Sequence, residues 1–382
     1  MALPPARAGT RIAISGHKTD FSFWPTEVRN GVRVAQSRLF ALDAWAIIRQ
    51  AVQTAGLAPN TLQEALATLR QAEDFYGIGT GRGHEAARPL VLYYSYLNLA
   101  KTFCLTRGPR TTLDGADHGL SAPRPAASPT TSLDVPLTVK KSGPRGRAGH
   151  QYDFISAFDE FRQALTGSAI PANASLSVSR ILPQILSGHR LWAQGANQPE
   201  RFVIVERVRF LHDGAGSMWL DVRIKRQDLA RLGVPSQEML AMSGLGGAFH
   251  EVEDKRGWVR LEQIVPLAYT VGHGIDQLHE LVAAIRPNLW MTVSILPPYR
   301  RYYIYLCPQS ERAHLLPQLL SMYAMTFYFG SITRYRPHRF DVLLQGPFGP
   351  RVRDFVTGQP QQLLYQMASE FAGRDVARPS IL

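Results

Sequence analysis

The run RPLVLYYSYLNLAKTFCL, residues 88–105, decides how the chain is read. Apolar and aromatic side chains fill nearly every position, and Ser95, Asn98, Lys101 and Thr102 are the polar exceptions. Those four fall at i, i+3, i+6 and i+7, so on a helix they form one stripe along an otherwise buried rod. Arg88 and Pro89 open the run, and proline suits a first turn whose N–H has no helical partner. The spacing predicts a central core helix. A Lys101 ammonium buried alone would cost several kcal/mol, so it must reach solvent, a carboxylate or a ligand anion.

Upstream, residues 37–76 read as two helices, SRLFALDAWAIIRQAVQTAG and TLQEALATLRQAEDFY, with Ser37 or Asp43 as the cap and Gly56 and Pro59 at the break. GIGTGRG (77–83) reads as a glycine-rich loop. It lacks the Lys-Ser/Thr of a phosphate-binding P-loop, follows no strand and leads into His84-Glu85, so it counts as loop punctuation. Downstream, residues 121–136 are rich in Pro, Ser, Thr and Ala and predict an exposed loop. LTVKK predicts a short strand and KSGPRGRAGH a basic, glycine-rich loop, after which HQYDFISAFDEFRQAL and VSRILPQIL return to helical spacing.

From residue 201 the period changes. RFVIVERVRF and SMWLDVRIKR flank LHDGAG, and Met218, Leu220, Val222 and Ile224 alternate with other residues, the pattern of a β-hairpin with one buried face. GWVRLE (257–262) is a further strand, and WMTVSIL and RYYIYL, split by Pro297-Pro298, predict a second hairpin. Residues 311–335, ERAHLLPQLLSMYAMTFYFGSITRY, then form a long apolar helix. Its Pro317, Gln318, Ser321 and Thr326, and the lack of a second span, favour a buried core helix over a membrane crossing. A last amphipathic helix lies within 350–372. The fold class is α+β: a helical core from residues 1–200 and 307–382, with a small antiparallel β insertion at 201–306 and the two tyrosine-rich helices packed together at the centre.

The 382 residues carry a net charge of +12, and only six of the 42 basic residues are lysines. Arginine's planar fork pairs with phosphate or carboxylate at two points. Residues 121–150 hold Arg124, Lys140, Lys141, Arg145 and Arg147 against Asp134, and residues 300–382 hold ten arginines against five acids. These two stretches supply most of the excess, and clustered positive charge attracts polyanions, nucleic acid first among them. Two cysteines, Cys104 and Cys307, make no disulfide framework and no cysteine-based zinc site. No H-E-x-x-H or EF-hand pattern is present, and His250, Glu251, Glu253 and Asp254 read as solvated loop charge, so neither metal nor cofactor is expected. The N-terminus has no apolar signal region, which points to the cytoplasm.

PLVLYYSYLNLAKTFCL followed by DHGL, then LTVKKSG, and YAMTFYFGSITRYRPHRF near the C-terminus, resemble the bacterial YaaC-like family in content and order. The resemblance implies a helical module related to HEPN domains with an inserted sheet. By analogy with bacterial HEPN proteins it also implies an RNA-directed effector of stress or anti-phage defence. HEPN ribonucleases carry an Arg and a His four to six residues apart on a helix. Here Arg334-Tyr-Arg-Pro-His338 leaves only three between, and Pro337 breaks the helix.

The candidate catalytic pair is therefore His338 with Arg334. Three arginines around one histidine favour its neutral, basic form and can neutralise a phosphate. Arg336 and Arg339 join them as phosphate binders, as do Asn98, Lys101 and His118 around the central helix and Lys140, Lys141, Arg145 and Arg147 in the basic loop. The Arg334–Arg339 cluster equally fits cations complementing a helix C-terminus. Three functions stay open: a nucleic-acid-interacting protein, ribonuclease-like if an enzyme; a non-catalytic module docking on a partner protein of a bacterial operon; and an enzyme acting on a phosphorylated small molecule.

Overall fold

The computed structural model describes residues 2–14, 16–83, 85–123, 135–147, 150–171, 174–270, 275–293, 299–347 and 349–379. His84, Arg124, Asp134 and the Pro297-Pro298 turn lie outside them. The chain divides into two compact units. Residues 1–42, 199–312 and 373–382 make a sheet unit, and residues 43–198 and 313–372 a helical unit.

In the sheet unit, six antiparallel strands lie in the order 249–252, 258–263, 217–225, 202–212, 300–305 and 289–293. The hairpin predicted from residue 201 is its centre, pairing Val208 with Val222 and Phe210 with Leu220, and a register shift falls between Val205 and Arg207. Met218, Leu220, Val222 and Ile224 all enter the apolar core, where Phe21, Leu278, Leu281 and Ile285 also pack. The opposite face is charged. Asp221 is fully buried and receives Arg209 through both Nε (3.0 Å) and Nη2 (2.7 Å), together with Arg260 Nε. Arg260 also pairs with Glu262 at 2.8 Å. Residues 1–42, which the sequence groups with the helices, belong to this unit. They hold short strands, of which Thr10–Arg11 pairs with the 202–212 strand and Leu39–Phe40 pairs in parallel with Val376–Ala377.

The helical unit contains helices α1 (Ala44–Gln53), α2 (Pro59–Thr80), α3 (Arg88–Arg107), α4 (Ala157–Thr166), α5 (Gln318–Tyr335), α6 (Pro337–Gln345) and α7 (Gly349–Ala372). Asp43, not Ser37, caps α1 by accepting from Ala46 N. Proline opens α2, α3 and α6, and Ser156 caps α4. Three expectations are corrected here. Helix α2 runs on through Gly77-Ile78-Gly79-Thr80, so only its continuation from Gly81 is loop; Gly79 is kept close because a Cβ there would meet Leu92 at 2.7 Å. The basic segment expected as a loop is a hairpin, Gly143–Arg147 pairing with His150–Phe154, so α4 begins only at Ala157. The 311–335 helix starts after Pro317, preceded by a 3-10 turn.

Helices α3 and α5 pack against each other, and they run antiparallel. Tyr323 and Phe327 both meet Tyr93 (6.2 and 5.4 Å between ring centres), while Gly330, further along α5, abuts Pro89 and Leu90 at the start of α3. The polar stripe of α3 turns toward α2, where Ser95 Oγ donates to Ala72 O, Asn98 to Gln71, and Thr102 meets Thr68. Among the described residues no helix is long and apolar enough to cross a membrane.

Candidate functional site

The antiparallel crossing and the stop at Pro337 create a cleft of about 580 Å³. Helix α3 contributes Tyr93, Tyr94 and Leu97 to it, and α5 contributes Phe327, Ser331 and Arg334. Pro337 has no N–H to continue α5, so the chain breaks at Arg336 and restarts as α6, adding Arg336 and Arg339 to the rim. The far wall is the DHGL turn with the strand after it, through His118, Leu120 and Ser121.

That turn is held rigidly. Asp117 N donates to Ile155 O at 2.9 Å and Ala157 N to Asp117 O at 2.8 Å. Gly119 sits at φ +81°, where a Cβ would lie 2.0 Å from Ser156 Oγ, so only glycine closes it. Asp117 accepts from Gly119 N (2.7 Å) and from the Lys140 ammonium (3.2 Å). Burial raises its carboxyl, but the Gly119 N–H, His118 and Lys140 outweigh that and hold it below its ordinary value. The His118 ring stacks on Phe327, 5.4 Å between centres, with Nδ1 3.8 Å from Asp117 Oδ1. Burial, and then the charges of Lys140, Arg334 and Lys101, lower its pKa against the pull of Asp117. The imidazole is held toward its neutral form.

Arg334 Nη1 donates to the Tyr94 hydroxyl at 2.8 Å, and its guanidinium lies 5.1 Å from the Tyr335 ring centre. Arg339 Nη1 is buried with no hydrogen-bond partner among the described residues. Burial holds the Tyr93 phenol well above its ordinary range, so it stays protonated. No carboxylate lines the cleft among the described residues. Aromatic walls with a guanidinium rim suit a planar ring carrying phosphate.

Of the residues singled out by sequence, Arg334, Arg336, Arg339 and His118 meet in this cleft, and Lys140 stands behind His118 through Asp117. His338 is exposed on the first turn of α6 and is not among the cleft's lining. Asn98 is buried against Gln71, and Lys101 is half-buried and outside the lining, although its charge reaches His118. Lys141 and Arg145 are exposed beside and on the 143–154 hairpin; Arg147 is in its first strand, with its side chain outside the described residues. The acidic cluster at 250–254 is engaged by arginine, Glu251 with Arg226 and Asp254 with Arg223, both at 3.1 Å. Among the described residues no group of three His, Cys, Asp or Glu side chains could hold a metal ion. Sequence reasoning did not single out Asp117, Tyr94 and Phe327. Asp117-His118-Gly119 was visible as an Asp-x-Gly turn, but nothing local assigns it to α5.

The runs that build the cleft are those that carry the family likeness: the aromatic α3, the DHGL turn, and α5 with its arginine-rich end. A family model described as YaaC-like protein matches residues 33–371. The chain belongs to the YaaC-like family. The match begins before α1 and ends within the last turn of α7, so the family model includes the whole lining of the cleft. No curated protein and no solved structure matches the chain.

Proposed function

We propose that this YaaC-like chain is a cytosolic nucleic-acid-interacting protein, directed first at RNA, and that the α3–α5 cleft is where a phosphate-bearing nucleotide unit is held. One observation carries the reading: Arg334, Arg336 and Arg339 converge on a pocket walled by tyrosine and phenylalanine and lined by no carboxylate among the described residues. Stacking holds the base, and the guanidinium groups hold the phosphate in two-point geometry. A HEPN-type description of the helical unit, and a place in bacterial stress or anti-phage defence, belong to the same reading and rest on the family resemblance. Short RNA titrated over a salt series tests it. Three phosphate contacts give a logarithmic slope of about −2, and no binding at low salt overturns the reading.

Strand cleavage is the second reading, favoured by His118. A neutral imidazole beside Arg334 can take the proton of a ribose 2′-hydroxyl while the guanidinium neutralises the phosphate. The hydroxyl oxygen bonds to phosphorus as the bond from phosphorus to the 5′ oxygen breaks, and that 5′ oxygen takes a proton from water. In this version the base is His118 and not His338. Loss of cleavage in H118A with cleavage kept in H338A supports it; the reverse result restores His338.

A further inference from the structure

We infer that the strand pair Gly143–Arg147 and His150–Phe154 is a second contact for the same ligand, so that the ligand is a single-stranded oligonucleotide and not a mononucleotide. The inference rests on the cleft reading above and extends it along the surface of the helical unit.

The register of the hairpin sorts its side chains. Arg145 stands directly opposite Tyr152, Gly143 opposite Phe154, and Asp153 opposite Pro144. Since successive residues alternate faces, Arg145, Tyr152 and Phe154 share one face and Asp153 lies on the other. The two faces have different fates. Asp153, the one acid of these two strands, is taken by Arg110 at 2.6 Å, and Arg110 also holds Glu160 of α4 at 3.1 Å. That neutralises the acidic face, whose carboxylate stays 52% exposed, and leaves the cationic, aromatic face with its charge uncancelled.

On the cationic face the Arg145 guanidinium lies 3.7 Å from the centre of the Phe154 ring, which orders it without neutralising it. Neither Arg145 nor the exposed Lys141 forms an ion pair among the described residues. Tyr152 is 50% exposed, a large ring left open to a partner. Exposed cations interleaved with an exposed ring match a strand whose phosphates need charge and whose bases need stacking surface. The hairpin also starts beside the cleft. Lys140, three residues before it, is bonded to Asp117, the neighbour of cleft-lining His118. Three residues span at most about 10 Å, so Lys141 and the start of the strand that carries Arg145 lie within reach of a chain leaving the cleft past His118.

The test uses the full chain with fluorescein-labelled oligouridylate RNA of about 4 and about 16 nucleotides, lengths set by the span of such sites. Wild-type protein binds the longer strand at least about tenfold more tightly, the worth of one or two added stacking or phosphate contacts. K141A/R145A and, separately, Y152A lose that advantage, whereas Y152F keeps it. K141A/R145A also flattens the salt slope for the long strand by about 1.4, two phosphate contacts' worth. Equal binding of the two lengths by wild type, or a full length advantage in the variants, overturns the inference while short-strand binding leaves the cleft reading standing. Failure of both lengths to bind at low salt overturns both. Tighter binding of a duplex of the same length, or displacement of the long RNA by polyglutamate as readily as by unlabelled RNA, replaces the single strand by a duplex or an acidic protein.

Discussion

Arg334, at the end of α5, donates a 2.8 Å hydrogen bond to the hydroxyl of Tyr94, near the start of α3, so the cleft's principal cation is positioned by one of its aromatic walls. The bond joins residues 240 positions apart. It exists because the two helices run in opposite directions.

Replacing Arg334 by alanine removes the charge and the tie together. Arg334 is exposed, so little stability is at stake, within about 0.5 kcal/mol. Binding of short RNA falls by about tenfold or more, the worth of a charge-assisted contact. R334K recovers only part, since a point charge does not reproduce the guanidinium fork. Fluorescence anisotropy, with a thermal melt as control, checks both statements.

Binding depends on pH through His118. Its native pKa is lowered from the ordinary 6.5, chiefly by burial and by the positive charges of Lys140, Arg334 and Lys101, with Asp117 opposing. A bound phosphate favours the imidazolium, so affinity rises as pH falls toward the lowered native value, and H118Q removes that rise. Stability moves the other way. Between the lowered native value and 6.5 the unfolded chain binds more protons than the folded one, so the His118 contribution is complete above 6.5 and is lost as pH falls through the native value. Titrations and melts of wild type and H118Q between about pH 5 and 8 separate the two trends. A pH-independent affinity would show that His118 does not face the ligand.

Gly330 sets the closeness of α3 and α5. A Cβ there would lie 3.0 Å from Tyr93 Cβ, 3.2 Å from Pro89 O and 3.4 Å from Leu90 Cα. None is the free end of a flexible side chain, so the helices must separate. G330A gains up to about 1 kcal/mol of helix propensity but loses more to overpacking, which costs about 1–3 kcal/mol. The net effect is a melting temperature lowered by a few degrees, and G330V lowers it further. An unchanged or raised melting temperature in G330A would refute the tight crossing.

The sheet unit has its own weak point. Asp221 is fully buried and holds Arg209 and Arg260, so D221N strips the counter-charge from Arg209 and leaves Arg260 with Glu262 alone. The loss is about 3–5 kcal/mol, the range for breaking a buried ion pair from one side. Urea unfolding followed by tryptophan fluorescence, to which Trp219, buried on the same strand, contributes, reads it.

Much of this architecture was legible because it is written in local periodicity. The aromatic crowding of 88–105 and 318–335 and the alternation of Met218, Leu220, Val222 and Ile224 need no partner to be recognised. The segment GPRGR, by contrast, has neither alternation nor apolar content. It is a strand because HQYDF pairs with it and because Arg145 covers Phe154, both non-local facts. The helical Gly77–Thr80 was hidden by two glycines whose place is explained by packing on α3, at least for Gly79. In the cleft the arginine cluster could be named from sequence, but not its companion. His118 and Arg334 share a cleft because of the direction in which α5 crosses α3, and helix direction leaves no mark on either helix's own residues.

The crossing of α3 and α5 also has a price in time. About 210 residues separate the end of α3 from the start of α5, and at roughly 5–20 residues per second their synthesis occupies about 10–40 s. Through that interval the ribosome has already released Tyr93, the residue that Phe327 and Gly330 will cover, together with the rest of its helix face. The entire sheet hairpin is made while that face stands open. A nascent chain of this family is therefore a natural client for a holding chaperone, and slowing translation between residues 108 and 317 should lengthen the association without altering the finished protein.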